Sequence, residues 1–340
     1  MKNKKRIALA VAVMLAVTAL PMTVFASKKD KEDEKLSKVT LNEVAHSVFY
    51  APQYVAIEKG YFAEKGLNLT LVTGFGADKT MTAVISGEAD IGFMGAEASV
   101  YAYQEGATDP VVNFAQLTQR AGNFLVAREA MPDFKWEDLK GEKVLGGRKG
   151  GMPEMVFEYI LKKNSIDPQK DLIIDQSIDF GSTAAAFTGD DSAAYTVEFE
   201  PSATILEKEG AGYVVASLGE ASGYVPYTSY SAKASYMKEN PEIIQKFTDA
   251  LQKGMDYVQS HTPEEIAEVI APQFKETDLE TITAIVKRYY DQDTWKENLI
   301  FEKDSFELLQ DILEDAGELT DRAAYEDLVQ TEYARKACES

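Results

Sequence analysis

"GFGADKTMTAVISGEADIGFMG", residues 74–95, sets two glycines between an apolar, β-branched run (Leu69–Thr73) and a helix-like segment, and ends in a second short apolar run at Gly95. Glycines at a strand-to-helix turn often bring an anion to a helix N-terminus, so the phosphate motifs have to be tested first. Walker A requires G-x-x-x-x-G-K-[ST]. Lys79-Thr80 fits its end, but Thr73 and Asp78 stand where its glycines belong. The dinucleotide fingerprint G-x-G-x-x-G is met by Gly74 and Gly76 and broken by Lys79, too bulky for close helix–strand packing. The stretch therefore reads as strand, turn, helix, strand, with room for a solute rather than a nucleotide loop.

Working outward, Val39–Val44 alternates as a first strand, and "APQYVAIEKGYFAEKGL" is helical, with Pro52 in its first turn and Gly60 and Gly66 at helix ends. "NLTLV" is a second strand, "DKTMTAVISG" a helix capped by Gly87, and "ADIGFMG" a third strand. This β-α-β-α-β order predicts a parallel sheet flanked by helices. A helix near Glu97–Gln104 and two strands, "VVNFAQL" and "NFLVARE", follow. A second α/β unit opens at "WEDLKGEKVLGGRKGG". It continues through a helix over Pro153–Asn164, the strands "DLIIDQSI", "SAAYTVEFE" and "GYVVASL", and short helices between them. Beyond "VPYTSYSAK" the pattern is helical: Asn240–Gln259, Pro263–Phe274, Asp278–Asp291, Ser305–Ala316 and Asp321–Val329.

The 340 residues suffice for two domains, and 45% hydrophobic with 27% charged is ordinary for a globular chain. The N-terminus differs. "MKNKKR" is a basic head, Ile7–Leu20 is apolar, and Val24 and Ala26 are small residues at the −3 and −1 positions of a cleavage site. Residues 1–26 read as a secretory signal peptide, a retained anchor being the alternative. Ser27, not Cys, follows, so no lipid anchor is expected. Residues 27–38 ("SKKDKEDEKLSK") read as a charged linker. Removing residues 1–26 takes the formal charge from −21 to about −25, which leaves no basic patch for nucleic acid or anionic lipid.

Composition also restricts the chemistry. The one cysteine, Cys338, forms no internal disulfide or Cys-rich site, and the two histidines, His46 and His261, make no zinc cluster. No G-x-S-x-G occurs, and neither a metal nor a cofactor is expected. In α/β halves of this kind ligands lie outside the carboxyl ends of the strands. There the chain carries "HSVFYAP", "GFGADKT" and "GAEA" in the first half, "GGRKGGMP" and "FEP" in the second. Phe49, Tyr50, Phe75 and Phe199 can wall a flat solute, and Arg148-Lys149 offers two positive charges in an acidic chain.

"YAPQYVAIEKGYFAEKGLNLTLV", "TAVISGEADIGFMGAEA", "WEDLKGEKVLGGRKGG" and "EFEP" resemble the solute-binding proteins of ABC importers, over about residues 39–260. The resemblance is closest to the nitrate, sulfonate and taurine binders and the thiamine-pyrimidine-precursor family. It implies an α/β, periplasmic-binding-protein-like (type II) two-lobe fold with a helical C-terminal segment. Lobe 1 would comprise 39–125 and 229–335, lobe 2 126–228, with crossovers near Asn123–Arg128 and Tyr224–Ser229. By position it implies ligand contacts at His46, Ser47, Phe49, Tyr50, Gly74, Phe75, Gly76, Asp78, Gly95, Ala96 and Glu97. From the second lobe it implies Arg148, Lys149, Gly150, Gly151, Met152, Glu198, Phe199 and Glu200.

The partners so implied are a small-molecule solute and an ABC permease in the membrane, for a monomer exported to the periplasmic or extracytoplasmic face and lacking enzymatic activity. Phe75 and Asp78 depart from the small turn of sulfonate binders, and the carboxylates Asp78, Glu97 and Glu198 repel a bare anion unless they point away. These features favour a heteroaromatic or cationic solute, such as a thiamine-pyrimidine precursor, over sulfonate, taurine or nitrate. A sensory binding module and an exported enzyme using His46 are the other readings. The Cys-rich motif of the superfamily's pyrimidine synthases is absent from the sequence.

Overall fold

The computed structural model describes residues 36–178 and 180–339. The expected signal peptide (1–26) and most of the charged linker (27–38) lie outside them. The chain builds two five-stranded mixed sheets.

The first half runs β1 (Ser37–Glu43), α1 (Ala51–Glu58), α2 (Tyr61–Glu64), β2 (Leu67–Thr73), α3 (Ala77–Ser86), β3 (Ile91–Gly95), α4 (Glu97–Gln104) and β4 (Val111–Thr118). The second runs β5 (Asn123–Ala127), β6 (Lys143–Leu145), α5 (Met152–Lys163), β7 (Ile173–Asp175), α6 (Thr183–Gly189), β8 (Tyr195–Phe199), α7 (Ser202–Lys208), β9 (Tyr213–Ser217) and α8 (Leu218–Ser222). The chain then returns through β10 (Thr228–Lys233) to α9 (Ala234–Glu239), α10 (Pro241–Ser260), α11 (Pro263–Ile270), α12 (Leu279–Asp291), α13 (Lys303–Asp315), α14 (Tyr325–Leu328) and α15 (Glu332–Cys338). Among the described residues no helix is long and apolar enough to cross a membrane.

The sheet orders are β2-β1-β3-β10-β4 and β7-β6-β8-β5-β9. In each, three strands are parallel, as the β-α-β-α-β pattern predicts. One strand, β10 or β5, lies antiparallel between two others. Each of these inserted strands enters its sheet directly from the other half of the chain. The connecting segments 119–122 and 223–227 run side by side, joined by Val225 N–H to Gln119 O at 2.9 Å. The first crossover thus lies before Asn123, and Asn123–Ala127 is strand rather than connection. β1 begins at Ser37, so the last residues of the expected linker are sheet.

Local signals explain most boundaries. Gly87 caps α3 with φ 81°, a conformation that a β-carbon would strain. Asp278 caps α12 by accepting the Thr281 N–H. Helix α10 buries Ile244, Phe247, Leu251, Met255 and Val258, a spacing of three and four residues that makes one apolar stripe. Three elements after β10 differ from expectation. Only Tyr325–Leu328 of the expected 321–329 helix forms, and α9 and α15 appear where no helix was expected, flanking stronger elements that supply their packing partners.

The α10 stripe packs on α1 and the first sheet. Phe247 meets Phe62 and Phe114, and Tyr230 of β10 stacks on Phe93 of β3 at 4.1 Å. Gly254 is the tightest point, because a β-carbon there would stand 2.3 Å from the Pro52 carbonyl oxygen. Gly254→Val should therefore lower unfolding free energy by about 2–3 kcal/mol in denaturant titration, the range of overpacked cores. A loss under about 0.5 kcal/mol would show that the two helices can separate freely.

Candidate functional site

The carboxyl ends of β1, β2 and β3 hold the first group of expected site residues. Glu43 ends β1, is wholly buried, and gathers four donors. His46 Nδ1 and Gln53 Nε2 lie at 2.7 Å from its oxygens, Tyr54 OH at 2.8 Å and Thr73 OH at 3.1 Å. His46 Nε2 reaches the Gln273 carbonyl at 3.0 Å, so both ring nitrogens face acceptors. The bond to Glu43 raises the His46 pKa above its usual value, against the opposing effect of burial. Gly74 and Gly76 fix the next turn through N–H bonds to the Glu43 and Val44 carbonyls, at 2.8 and 3.1 Å. Phe75 between them adopts φ 56° and is 77% exposed.

The aromatic wall is built around Phe49, fully buried and in ring contact with Tyr50, Phe199, Tyr227 and Tyr289. Trp295 Nε1 donates to the Phe49 carbonyl at 2.8 Å, and Tyr289 OH to the Gly122 carbonyl at 2.8 Å. Tyr227, Tyr289 and Trp295 were invisible as site residues. They lie on the return segment and in the tail, where an aromatic on an amphipathic helix reads as core. Only the spacing of the α12 apolar stripe marks Tyr289 as inward-facing.

The turns of the two sheets meet. Asp78 pairs with Arg148 at 3.5 Å, Tyr101 OH donates to the Gly150 carbonyl at 3.2 Å, and Ser47 Oγ donates to the Glu200 carbonyl at 3.2 Å. The Asp78–Arg148 pair is largely exposed and so weakly stabilising. Lys149 turns away to Glu318, at 3.4 Å. Gly150 N–H donates to Glu154, and Gly151 precedes the first residue of α5, buried Met152. Glu200 accepts from Thr204 and from Arg288 Nη1 at 2.6 Å, while Arg288 Nη2 donates to Glu207 at 2.7 Å. Glu198 lies apart from these cross-sheet contacts, accepting from Thr196 at 2.6 Å.

Glu97 follows Gly95 and buried Ala96 as the first residue of α4, and only 4% of it is exposed. Its Oε2 is buried with no hydrogen-bond partner. Burial pushes its pKa up to about 7, against its own backbone N–H and that of Met152, which favour the charged form. The carboxylate folds over Gly95, where a β-carbon would collide with both its oxygens. Glu198 is likewise pushed up to about 7 by burial, opposed by the Thr196 and Thr183 hydroxyls. Asn123 Nδ2 is a second buried atom without a partner, and its Oδ1 accepts the Tyr227 hydroxyl at 3.4 Å. Cavities of about 200 and 300 Å³ lie elsewhere, beside Lys143 and Asp175 and beside Phe124 and Gln292. Neither is lined by Phe49, Glu97 or Met152.

The family model for NMT1/THI5-like proteins matches residues 48–266, which span β3, the crossing turns, the whole second sheet and β10. The chain belongs to the NMT1/THI5-like family. It is 46% identical over 312 residues to "Putative binding protein YtlA" of Bacillus subtilis (strain 168), covering 92% of this chain and 93% of that one. Two solved structures share the fold. One is a ligand-binding component of an ABC-type import system from Staphylococcus aureus with zinc bound, with TM-score 0.72, 14% identity, and 89% and 100% of the two chains covered. The other is the alkanesulfonate-binding protein SsuA from Xanthomonas axonopodis pv. citri bound to MOPS, with TM-score 0.69, 14% identity, and 87% and 99% covered. The family match thus takes in the turns after β2 and β3 and those of the second sheet, and begins just after His46 and Ser47.

Two outcomes follow for this NMT1/THI5-like site. Glu43→Ala strips four donors of one acceptor and should cost about 3 kcal/mol or more in denaturant unfolding; a near-neutral result would mean that the network dissolves into water. The second concerns pH. Carboxyls raised on folding, Glu97 and Glu198 among them, bind more protons in the native state between about pH 4.5 and 7. Stability should therefore fall as pH rises through that window, and raised His46 adds the same sign above about pH 6.5. The lowered Asp175 and Asp190 act oppositely, but only below about pH 4. Glu97→Gln should flatten the decline of melting temperature between pH 5 and 8; an unchanged slope would contradict the burial argument.

Proposed function

We propose that the protein is the extracytoplasmic solute-binding component of an ABC importer. It would capture a small organic solute between two lobes, 39–125 with 229–335 and 126–228, and deliver it as a monomer to a membrane permease. The observation that carries the reading is the meeting of the strand-end turns of the two sheets through Asp78–Arg148, Ser47–Glu200 and Tyr101–Gly150. Asp78–Arg148 and Tyr101–Gly150 are partly exposed, Ser47–Glu200 is buried, and beside them Phe49 meets Phe199, so the two sheets are held at this junction by polar and aromatic contacts together. The shared fold with the Staphylococcus aureus import component supports it. Residues 1–26 supply the export signal in this reading. His46, the acid–base candidate of an enzyme, is committed at both ring nitrogens to Glu43 and Gln273, which favours positioning over turnover.

The solute favoured is heteroaromatic and amine-bearing, of the thiamine-pyrimidine-precursor kind. The rings of Phe49, Tyr50, Phe199 and Tyr227 suit a flat molecule, and buried Glu97 and Glu198 suit a hydrogen-bond donor. A sulfonate or nitrate solute is the second reading, favoured by the fold shared with the alkanesulfonate-binding SsuA. Thermal unfolding against a panel of aminopyrimidines, alkanesulfonates, taurine and nitrate tests both. A solute at 100 times its Kd should add about 2.7 kcal/mol and raise the melting temperature by several degrees. A panel that leaves the melting temperature unmoved would count against a solute of either class.

A further inference from the structure

Two helices begin at the junction of the turns, α4 from the first sheet and α5 from the second. Their first residues are Glu97 and Met152, and the N–H groups of both act on one carboxylate, that of Glu97. Helix N-termini present unpaired N–H groups and the positive end of the helix dipole, so a place where two of them converge is suited to an anion. Here the anion is built into the chain. The Glu97 carboxylate lies folded back over Gly95, in a space that exists because residue 95 has no side chain. One of its oxygens is then left buried and unpaired, a costly state that a ligand's donor would relieve.

The surroundings do not supply that donor. Tyr50, Tyr101 and Tyr227 all feel the Glu97 charge, but the Tyr101 hydroxyl is spent on the Gly150 carbonyl and Met155, and that of Tyr227 on Asn123. Arg148 is turned to Asp78 and Lys149 to Glu318, so neither neutralises Glu97. Above about pH 7, where the Glu97 carboxyl is ionised, a solute bringing a sulfonate, carboxylate or nitrate would meet a like charge at close range in a medium that screens poorly. A solute bringing N–H would meet a waiting acceptor.

Resting on the solute-binding reading above, we infer that Glu97 is the specificity-determining residue of the cleft. Its carboxylate occupies the anion position between the two helix N-termini, excludes anionic head groups, and selects a solute with an amino or ammonium group for its unpaired oxygen. The rule concerns charge and donor pattern, and so applies to any solute carrying such a group.

Calorimetric titration at pH 8.5, where Glu97 is ionised, of the wild-type protein, Glu97→Gln and Glu97→Ala tests it, with ethanesulfonate as the anionic probe. Two neutral probes complete the set: 4-amino-5-hydroxymethyl-2-methylpyrimidine and its analogue lacking the 4-amino group. Circular dichroism and melting temperature confirm that each variant is folded, and Glu97→Gln, nearly the same shape, serves if Glu97→Ala is not. Ethanesulfonate should bind the variants at least tenfold more tightly than the wild type, and any wild-type preference for the aminopyrimidine over its desamino analogue should shrink at least tenfold. Folded variants that gain no ethanesulfonate binding would overturn the inference, as would a wild type that binds ethanesulfonate as well as they do. The two claims fail separately. A wild type that binds no probe while Glu97→Ala takes up ethanesulfonate would count against the proposed solutes and leave the charge selection standing. A wild type that binds a probe, with no gain for the anion in either variant, would do the reverse.

Discussion

Glu43 is a carboxyl group at zero exposure, placed where β1 gives way to the first turn. A buried carboxylate survives folding only when its oxygens are filled, and four donors from four different positions along the chain fill these. Gln53 and Tyr54 bring helix α1, Thr73 brings the end of β2, and His46 brings the loop between β1 and α1. Gln53 then passes the constraint on by accepting the Tyr230 hydroxyl at 2.8 Å, and Tyr230 stacks on Phe93. One carboxyl group thereby fixes the relative positions of β1, β2, α1, β10 and β3. The turns that carry Ser47, Phe49, Asp78 and Glu97 hang from those elements, so their aim toward the second sheet depends on it.

The second sheet has buried carboxyls of its own, Glu198 and Glu200 at the end of β8 and Glu154 on α5. Its principal polar knot is Glu200, held by Thr204 and by Arg288 of the tail, with Glu207 on the other arm of the guanidinium. Bidentate engagement of Arg288 by two carboxylates makes it an anchor that a lysine could not replace. The site is thus framed from opposite sides by Glu43 and Glu200, both satisfied, while Glu97 between the turns is not. Saturated carboxyls hold the frame and the unsaturated one is left for chemistry.

How much of this the sequence disclosed depends on whether the signal was local. The glycine at position 87, the apolar spacing of α10 and the strand–turn–helix order around residue 74 act within a few residues, and the corresponding elements are found there. The pairing of "GFGADKT" with "GGRKGG" was legible from motif order alone, and Asp78 does meet Arg148. Phe75 was legible as an aromatic but not as an exposed residue of positive φ. Glu43 gave no signal at all. A polar residue at a strand end is ordinarily exposed, and the donors that bury it are separated from it by 3, 10, 11 and 30 positions. The same holds for Tyr289 and Trp295, whose partners Gly122 and Phe49 lie 167 and 246 residues away. No window of sequence holds both ends of those last contacts.

The tail has a mechanical meaning beyond its packing. Helix α12 and the segment after it grip the second half through charge and amide groups, Arg288 to Glu200 and Glu207 and Gln292 to Ala121 O and Ser217 Oγ. They reach the first half by aromatic contact of Tyr289 and Trp295 with the ring and carbonyl of Phe49. Two fastenings of different chemistry on one helix respond differently to conditions. Ionic strength bears only weakly on the first, because Glu200 is buried and the Gln292 bonds are uncharged, whereas cooling weakens the apolar one. On the importer reading, a hinge strapped in this way has an opening equilibrium that answers to temperature more than to salt, even for a solute that carries no charge.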